Sequence, residues 1–351
     1  MSTAVPEPSA SPRPKPSIAD VARVAGVSAQ TVSRVSTGAD NVRPATRDRV
    51  LAAMDQLGYS PNHAARALRS GSFGTIGMIA HRLARTGESR TVEAVVEAAR
   101  AEGYTVSLVD VQSPSSDEVT EAAARLSHQS IDGLVIIRAE TATPTNLALP
   151  PRLPVVVSDS RFAGHHPAVG ADQVTGTHLA VQHLLDLGHR TVHHLAGPVS
   201  SAPAEIRVET WREHLTGAGR PVPAPLRGDW SARSGYDQGR RIAESALREG
   251  ITAVFTANDE MAAGLIRALS EAGLRVPQDV SVVGFDDIPL AEFLWPPLTT
   301  VQQDFHLIGR QLMDLLLRQI RDREVLADQR IVVPTRLIGR GSTAAPRASG
   351  S

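Results

Sequence analysis

Two side chains near the amino terminus have the types and the spacing of a base-reading pair. Gln30 and Arg34 stand four residues apart, so a helix through them projects both from one face. A glutamine amide pairs bidentately with adenine and an arginine guanidinium with guanine, each pairing contributing roughly 1 to 3 kcal/mol of discrimination in the major groove. Thr31 and Ser33 flank the pair and can donate to phosphates. On spacing alone, a helical hairpin with solvated polar residues explains the segment equally well.

Polar side chains also close three short apolar runs later in the chain. Asp159, Asn258 and Asp286 follow runs that read VVVS, AVFTA and VSVVGF. Ligands of open parallel sheets gather beyond the carboxyl ends of the strands, where carboxylates and amides can exchange hydrogen bonds with the hydroxyls of a sugar. Trp230, next to a Gly-Asp pair, offers a face for the apolar side of a pyranose ring. A carboxylate after a strand is more often a helix cap, and a tryptophan is usually part of a core, so the pattern alone leaves the chemistry open.

The elements that must position the base-reading pair are three short helices between residues 17 and 60. Apolar residues at a period of 3.6 mark each helix. Gly26 ends the first helix, the Ser28 hydroxyl can cap the second, Pro44 suits the first position of the third, and Gly58 ends it. The core stripes are Ile18, Val21, Ala22 and Ala25 in the first helix, Val32 and Val35 in the second, and Val50, Leu51, Met54 and Leu57 in the third. Two helices joined by a Gly-containing turn predict a helix-turn-helix.

Residues 18–68 resemble the LacI/GalR family of bacterial transcriptional repressors almost continuously. The run DVARVAGVSAQTVSRV has the form of that family's signature, and the resemblance puts Ala29, Gln30 and Arg34 at its base-reading positions. Ala29 offers only a methyl group, so half-site preference is expected to rest on the other two. Arg43 stands where the family usually has a serine that caps the third helix, and we expect a weaker cap there. The DNA-binding residues expected in this unit are Ser28, Ala29, Gln30, Thr31, Ser33 and Arg34.

The run PNHAARALR, from residue 61, resembles the hinge helix of the family, which orders only on specific DNA and presses a leucine into the minor groove. Asn62 can cap such a helix, while Ala64, Ala65 and Leu68 give it a narrow apolar edge for the same helix of a second subunit. The segment is too short to be a stable helix alone. Leu68 would unstack a base step and kink the duplex, with Asn62 and Ala65 completing the expected contacts. A surface linker helix with one partly buried leucine is the alternative.

From residue 74 the chain alternates short apolar runs with amphipathic helices, a pattern that predicts a doubly wound α/β architecture. Predicted strands cover 75–80, 133–137, 155–157, 253–255 and 280–284, and a crossover helix covers 91–101 with Val92, Val95, Val96 and Ala99 on its buried side. The length suggests two such lobes. The body resembles the periplasmic-binding-protein-like core of the same family, in which the chain crosses between lobes three times.

The expected fold is an all-α helix-turn-helix headpiece with a hinge helix, followed by a two-lobed α/β periplasmic-binding-protein-like domain with doubly wound parallel sheets. Crossings between the lobes are expected near Gly170, Thr300 and Pro334. The expected domains are a disordered tail at 1–16, the headpiece at 17–60, the hinge and linker at 61–73, a ligand-sensing domain at 74–343 and a flexible tail at 344–351. Lobe 1 is expected at about 74–170 and 303–333, and lobe 2 at about 171–302 and 334–343.

The resemblance extends to a ligand site between the lobes. GDWSARSG from residue 228, ANDEM from 257, VVGFDD from 282 and PLTTVQQDF from 297 are more similar to the lactose-responsive branch of the family than to its purine or ribose branches. They imply effector-binding roles for Asp159, Arg207, Trp230, Asn258, Asp286, Gln303 and Phe305. Arg207 and Asp286 would hold hydroxyls by charge-assisted bonds, Asn258 would add a neutral one, and Trp230 and Phe305 would wall the site.

Two stretches of the first lobe depart from that branch. HRLARTGESRT, from residue 81, is charged where the branch has an apolar rim, and Ile137 stands where it has an asparagine. A galactoside with a polar second ring, or a different disaccharide, suits this more polar mouth. Arg85 and Glu88 are expected to form a solvated surface pair. The expected effector is a small carbohydrate, with a purine corepressor as the alternative.

Composition agrees with a DNA-binding regulator. The chain has 351 residues and no cysteine, which excludes a disulfide framework and thiol chemistry. No apolar run approaches the roughly 18 residues of a membrane span, and no basic and apolar signal peptide opens the chain. Nine basic and five acidic residues up to Ser72 make the headpiece positive, although the whole chain has a net charge of −1. We expect a bacterial cytoplasmic protein associated with the nucleoid.

No catalytic or metal-ligating set accompanies these motifs, so we expect neither an enzyme nor a cofactor. A solute-binding protein would need a secretion signal and no headpiece. A sugar-processing enzyme would use carboxylates as acid and base, but here they come with arginine and asparagine partners suited to binding. The chain ends without leucine heptads, which predicts a homodimer that spaces two headpieces for a pseudo-palindromic operator. The expected partners are double-stranded DNA, a small sugar and a second copy of the chain, with no membrane.

Overall fold

The computed structural model describes residues 16–36, 39, 41–59, 72–111, 116–128, 130–137, 149, 152–158, 165–326 and 329–347. The chain forms two compact units, Met1–Phe73 and Gly74–Ser351. Residues 1–15 of the predicted tail at 1–16 lie outside the described residues, as do the predicted hinge residues Asn62, Ala65 and Leu68 and the predicted effector residue Asp159. Their roles stay predictions.

Three helices build the first unit: α1 (Ile18–Ala25), α2 (Ala29–Ser36) and α3 (Pro44–Leu57). Ser17 caps α1 in a capping box with Asp20, and Gly26 ends it with a φ of 64°, a left-handed conformation that glycine adopts without a Cβ penalty. The Ser28 hydroxyl accepts the backbone N–H of Thr31 at 3.1 Å, as expected of the cap of α2. The predicted helix-turn-helix is therefore present.

The core of this unit contains the predicted stripes with one exception. Val32 and Val50 have no exposed surface, but Leu51, expected in the core, is 49% exposed and Ala53 is buried instead. Positions 50, 53, 54 and 57 follow the helical period, whereas residue 51 is rotated by about 100° from this face. Arg43 makes no side-chain cap at the start of α3, so the predicted weakness of that cap is confirmed.

Lobe 1 of the second unit is a six-stranded parallel sheet with helices on both faces. Its elements are β1 (Thr75–His81), α4 (Thr86–Ala101), β2 (Thr105–Val111), α5 (Ser116–His128), β3 (Gly133–Ile137), β4 (Val155–Ser158), β5 (Ala168–Ala171), α10 (Phe305–Leu317) and β11 (Arg330–Val333). The strand order is β11-β5-β4-β3-β1-β2. A π-helical turn, Arg318–Asp322, follows α10, and α10 packs on α4.

Lobe 2 repeats this architecture. Its elements are α6 (Gln173–Asp186), β6 (His193–Ala196), α7 (Ala202–Gly217), β7 (Leu226–Arg227), α8 (Ala232–Glu249), β8 (Ala253–Thr256), α9 (Asp259–Glu271), β9 (Ser281–Asp286), a 3-10 helix (Pro289–Phe293), β10 (Thr299–Gln302) and β12 (Arg336–Ile338). The strand order is β12-β10-β9-β8-β6-β7. All pairs are parallel except β10 with β12.

The five predicted strands are all present, because each apolar run is buried on both faces of a helix-covered sheet. Their ends differ slightly: β9 runs through Asp286, so this carboxylate is the last strand residue. In α4, Val92, Val95 and Ala99 face the core as predicted, but Val96 is 39% exposed and Ala94 is buried in its place. None of the helices in the described ranges is long and apolar enough to cross a membrane.

The chain passes between the two lobes three times. The crossings lie between Ala171 and Gln173, between Gln302 and Phe305, and between Val333 and Arg336. We call these three crossings together the hinge, as distinct from the predicted hinge helix at 61–69, because segments that join two lobes allow one lobe to move relative to the other.

The carboxyl-terminal segment 344–347 is not the flexible tail that was expected. The backbone N–H of Ala344 donates to the Ser281 hydroxyl at 3.0 Å, and the Ser281 hydroxyl donates to the Ala344 carbonyl at 3.0 Å. Arg347 forms an ion pair with Asp279 at 3.0 Å. These bonds hold the segment along the amino end of β9, a constraint that residue types alone do not reveal.

Candidate functional site

Gln30 and Arg34, the predicted base-reading pair, lie on the exposed face of α2. Ala29, Gln30 and Arg34 are exposed, whereas Val32 and Val35 on the opposite side are buried. The other predicted contacts of this segment are Ser28, which is exposed, and Thr31 and Ser33, which are half-buried. A helix that packs by two valines and presents an amide and a guanidinium together has the form of a recognition helix.

Four predicted effector residues line one cleft between the lobes of the second unit. Arg207 comes from α7, Trp230 from the loop before α8, Asn258 from the start of α9 and Asp286 from the end of β9. Glu260 of lobe 2 and residues 85–88 of lobe 1 complete the lining. The cleft leaves a cavity of only about 10 Å³, far less than the roughly 300–1,000 Å³ of ordinary small-molecule pockets. A disaccharide therefore requires the lobes to separate.

Arg207 is a buried cation at this cleft, 1% exposed. Its Nε donates to Gln173 Oε1 at 2.8 Å, its Nη1 donates to the Ala257 carbonyl, and its Nη2 lies 3.9 Å from Asp286 Oδ1. The guanidinium also lies 3.7 Å from the centroid of the Phe285 ring, a cation–π contact. These contacts hold the guanidinium in one orientation beside a carboxylate, the arrangement that binds hydroxyls by charge-assisted hydrogen bonds.

Trp230 forms an aromatic wall of the cleft. Its backbone has a φ of 78°, and its ring packs on Gly197, where a Cβ would lie 2.6 Å from two ring atoms. The indole is 4% exposed, and within the described part of the chain its Nε1 has no hydrogen-bond partner. Since a buried indole N–H usually finds an acceptor, Trp230 combines an apolar face with an unused donor.

The loop that carries Trp230 is held by hydrogen bonds to Asp229. The Ser231 hydroxyl donates to Asp229 Oδ1 at 2.5 Å, and the Ser234 hydroxyl accepts the Asp229 N–H at 3.0 Å. Burial alone would raise the pKa of Asp229, but the hydrogen bonds from Ser231 and Ser234 hold it below its ordinary value. Asp229 thus stays ionised and fixes the conformation of the loop.

Asn258 is both a helix cap and part of the cleft. Its Oδ1 accepts the Met261 N–H at 3.0 Å, which caps α9. Its Nδ2 donates to the Trp230 carbonyl at 2.9 Å and to Glu260 Oε2 at 2.8 Å. The capping explanation, left open from sequence, is therefore correct for this residue, and the same amide positions the tryptophan.

Arg85 and Glu88 are not the solvated surface pair that was expected. Glu88 is 1% exposed and Arg85 15%, and Arg85 Nη1 lies 3.5 Å from Glu88 Oε1. Both line the cleft, because the first turn of α4 points at lobe 2. The Thr86 N–H there lies 3.4 Å from Glu260 Oε1, a direct hydrogen bond between the lobes. Lobe 1 therefore contributes charge to the mouth of the cleft.

Two predicted effector residues, Gln303 and Phe305, are not among the described residues that line the cleft. Gln303 is buried and donates to Asp286 and accepts from Gln173. Phe305 is the first residue of α10 and is 5% exposed. Gln303 supports a lining residue instead of facing the free volume.

Sequence reasoning missed three polar residues around the cleft: Gln173, Asp259 and Glu260. Gln173 begins a helix directly after β5, so the strand-end pattern used elsewhere would have found it. Asp259 accepts from Thr300 Oγ1 at 2.6 Å and from the Ile288 N–H at 2.9 Å. Burial raises the pKa of Asp259 well above its ordinary value, and the nearby Asp286 adds to the shift. The cluster of carboxylates beneath the cleft is therefore larger than predicted.

Two family models match the chain. The model for bacterial regulatory proteins of the lacI family covers residues 17–62. The model for the periplasmic binding protein-like domain covers residues 181–343. The first spans the three helices of the first unit, and the second spans the lobe 2 residues that line the cleft.

Known relatives cover nearly the whole chain. The lactose operon repressor of Escherichia coli K12 is 38% identical over 93% of this chain and 90% of its own length. The ribose operon repressor of the same organism is 34% identical over 92% and 98%. A transcriptional repressor named PurR from Haemophilus influenzae PittEE is 33% identical over 93% and 98%.

Solved structures agree with this. A lac repressor dimer bound to operator and the anti-inducer ONPF matches 94% of this chain and 99% of its own, with a TM-score of 0.81 and 36% identity. A complex of the transcriptional regulator CelR with cellobiose matches 93% and 99%, with a TM-score of 0.71 and 31% identity. The fold is thus shared with these proteins over more than nine tenths of the chain.

Proposed function

Because the chain belongs to the lacI family of bacterial regulatory proteins, we propose that it is a repressor whose operator affinity is set by a small carbohydrate bound between its lobes. Its relatives are named transcriptional repressors rather than enzymes. The headpiece binds DNA, and the cleft between the lobes binds the sugar. The site residues carry binding roles only.

The observation that carries the sugar is the combination of groups at Trp230. A buried aromatic face with an unused N–H in the described structure stands beside a guanidinium and a carboxylate that are held in place. A pyranose presents an apolar C–H face and a rim of hydroxyls, so it matches such a pair of surfaces. The charged mouth at Arg85 and Glu88 favours a sugar with a polar second ring, such as a disaccharide.

The names of the relatives support the ligand class. They include repressors of lactose and ribose operons and a regulator in complex with cellobiose. The purine alternative keeps the DNA half of this proposal and is represented by the PurR relatives. Trp230 in the GDWSARSG loop is the feature on which we choose the sugar.

The switch is a linkage between two sites. Sugar entry must widen the closed cleft, and a change of angle between the lobes alters the positions of their outer surfaces, including those of a second subunit. The hinge segments at 61–69 then cannot order together on DNA, so operator affinity falls. A coupling of roughly 1 to 3 kcal/mol gives a 5- to 150-fold change in operator affinity.

A homodimer provides the two headpieces. Lobe 2 exposes three large apolar side chains around the 3-10 helix: Leu290 at 53%, Phe293 at 73% and Trp295 at 89%. Exposed apolar patches of this kind mark association surfaces, and several matching structures are named as dimers. We place the dimer contact of lobe 2 on this patch. The assembled repressor acts in the bacterial cytoplasm, where operator DNA lies.

Fluorescence anisotropy of a labelled pseudo-palindromic operator tests the proposal. The operator is selected from a random library with the full-length protein, and the complex is titrated with galactosides, glucosides, their disaccharides and a purine. A fall in anisotropy with one sugar is the expected result. Tight operator binding that ignores every sugar, or that strengthens with the purine, contradicts the ligand assignment and leaves the DNA-binding headpiece in place.

A further inference from the structure

Four buried polar side chains form a ring of contacts beside the proposed effector site. Gln173 Oε1 accepts from Arg207 Nε at 2.8 Å, and Gln173 Nε2 donates to Gln303 Oε1 at 3.3 Å. Gln303 Nε2 donates to Asp286 Oδ1, which lies 3.9 Å from Arg207 Nη2 and closes the ring. All four residues are buried. Two members belong to the cleft lining, and two do not.

The two members outside the lining lie on the crossings between the lobes. Gln173 is the first residue of α6, directly after the first crossing, and Gln303 lies in the second. The third crossing is joined to the same place, because Thr335 Oγ1 donates to the Asp172 carbonyl at 3.1 Å. Residues 172 and 173 therefore contact both other crossings.

Because of this ring, a ligand in the cleft and the side chains on the crossings use the same hydrogen-bonding groups. A buried amide in a low-dielectric interior needs its partners, and a network of such groups keeps one arrangement only while every member is satisfied. A ligand hydroxyl that bonds to Asp286 competes with Gln303 Nε2. A ligand that draws the Arg207 guanidinium outward pulls on Gln173. Either event disturbs a side chain on a crossing.

We propose that Gln173 is the positioning residue that couples occupancy of the cleft to the geometry of the hinge. The side-chain amide of Gln173 accepts a hydrogen bond from Arg207 through its oxygen and donates one to Gln303, on the second crossing, through its nitrogen. The proposal rests on the proposed function for the role of Arg207 and Asp286. Without Gln173 the lobes lose the link that keeps one relative orientation, whichever sugar the cleft takes.

The test measures the separation of the lobes in the full-length protein without any sugar. Because the chain contains no cysteine, Arg100→Cys on α4 and Glu244→Cys on α8, both exposed, can be spin-labelled specifically. Pulsed dipolar spectroscopy of labelled chains diluted into unlabelled protein gives the distance distribution within one subunit. The width and centre of that distribution report how firmly the hinge is set.

Three variants are compared in this background. Gln173→Leu removes both amide contacts at nearly constant size, and we expect it to broaden the distribution at least twofold or to shift its centre by several ångströms. Gln173→Glu keeps an acceptor for Arg207 but loses the donor to Gln303, and we expect the same direction of change. Gln182→Leu is the matched control, since this glutamine lies on the same helix and contacts Asp186 and His214 at the surface.

An unchanged distribution in both Gln173 variants overturns the proposal, and so does equal broadening in Gln182→Leu. Should Gln173→Leu fail to fold by circular dichroism, Gln173→Glu carries the test. Operator titrations with lactose as the probe form a separate arm. If the parent responds to lactose, Gln173→Leu is expected to reduce the fold-change in operator affinity at least fivefold. A parent whose operator affinity responds to none of the sugars in the anisotropy titrations contradicts the proposed function and leaves the spin-label result intact.

Discussion

The guanidinium of Arg207 lies over the ring of Phe285, 3.7 Å from its centroid. The ring shields one face of a cation that is 1% exposed, and hydrogen bonds to Gln173 and Ala257 fix its edge. A buried cation held in this way needs no ligand to remain in place. The guanidinium is therefore already positioned to bind a ligand, and its position does not depend on one.

Arg207→Ala is expected to abolish the response to sugar while leaving operator binding intact. The substitution removes the cation beside Asp286 and leaves that buried carboxylate without its ion-pair partner, at a cost of about 3 kcal/mol in the free energy of unfolding. Operator anisotropy with and without sugar measures the first effect, and denaturant unfolding measures the second. Loss of operator binding in a folded variant would mean that Arg207 is structural.

Gln30→Ala and Arg34→Ala are each expected to weaken operator binding by about 1 to 3 kcal/mol, or roughly 5- to 150-fold. The loss should shrink on an operator already changed at the base that the residue reads, because the contact is then absent in both. Arg23→Ala is the control, since this arginine is 74% exposed on α1 and pairs with Asp20. Equal losses for all three variants on every operator would indicate charge rather than base reading.

Gly235→Ala is expected to destabilise lobe 2 by about 1 to 3 kcal/mol. A Cβ at this position would lie 2.3 Å from the Met261 carbonyl oxygen, so α8 and α9 would have to move apart next to the Trp230 loop. Gly217→Ala is the matched control, because no atom lies within 4 Å of its added Cβ. Denaturant unfolding of both variants checks this, and equal stabilities would show that the close approach is relaxed in solution.

The stability of the protein is expected to fall below neutral pH because of His194. Burial lowers the pKa of His194 to about 3 from 6.5, although a hydrogen bond to the Phe255 carbonyl opposes the shift. The unfolded chain binds the proton more readily, so stability is complete above pH 6.5 and decreases as the pH falls towards 3. At pH 5 the loss from this residue is about 2 kcal/mol.

His194→Phe tests this, because a phenyl ring can keep the stacking on Phe255, whose centroid is 4.6 Å away. The free energy of unfolding is measured by denaturant at pH 7.5 and pH 5 for both proteins. We expect the decrease between the two pH values to be about 2 kcal/mol smaller in the variant. The same decrease in both proteins would assign the acid sensitivity to other groups.

Trp295→Ser combined with Phe293→Ser is expected to shift the protein from dimer to monomer. Removing two exposed aromatic rings from the proposed contact takes away the residue types that dominate interface energies. Sedimentation measures the dissociation constant, with Leu247→Ser as the control because Leu247 is a separate apolar side chain, 64% exposed on α8. A dimer unaffected by the double substitution would place the contact elsewhere, and a stable tetramer in the parent would contradict the dimer itself.

Local signals were sufficient for the headpiece and for the strands. The Ser28 cap, the Gly26 helix end and the helical spacing of the valines all involve residues within a few positions of one another. The sequence alone therefore determined that Gln30 and Arg34 share an exposed face. Parallel strands that are buried on both faces are recognisable in the sequence as continuous apolar runs. The errors in the helices, Leu51 and Val96, each directly follow a buried valine; both are apolar, but each is turned by about 100° from that valine and is partly exposed to solvent.

Only the tertiary structure decided which strand-end residues line the cleft and which support a lining residue. Arg85 and Glu88 look solvated because their neighbours in sequence are polar, yet their side chains are 15% and 1% exposed and line the cleft between the lobes. Gln303 and Gln173 are 130 residues apart and touch only because two crossings run side by side. Whether a charge is buried, or a ring of polar contacts closes, depends on residues that are distant in sequence and meet only in the folded chain. Helix caps and the helical period of apolar residues depend on residues that are close in sequence.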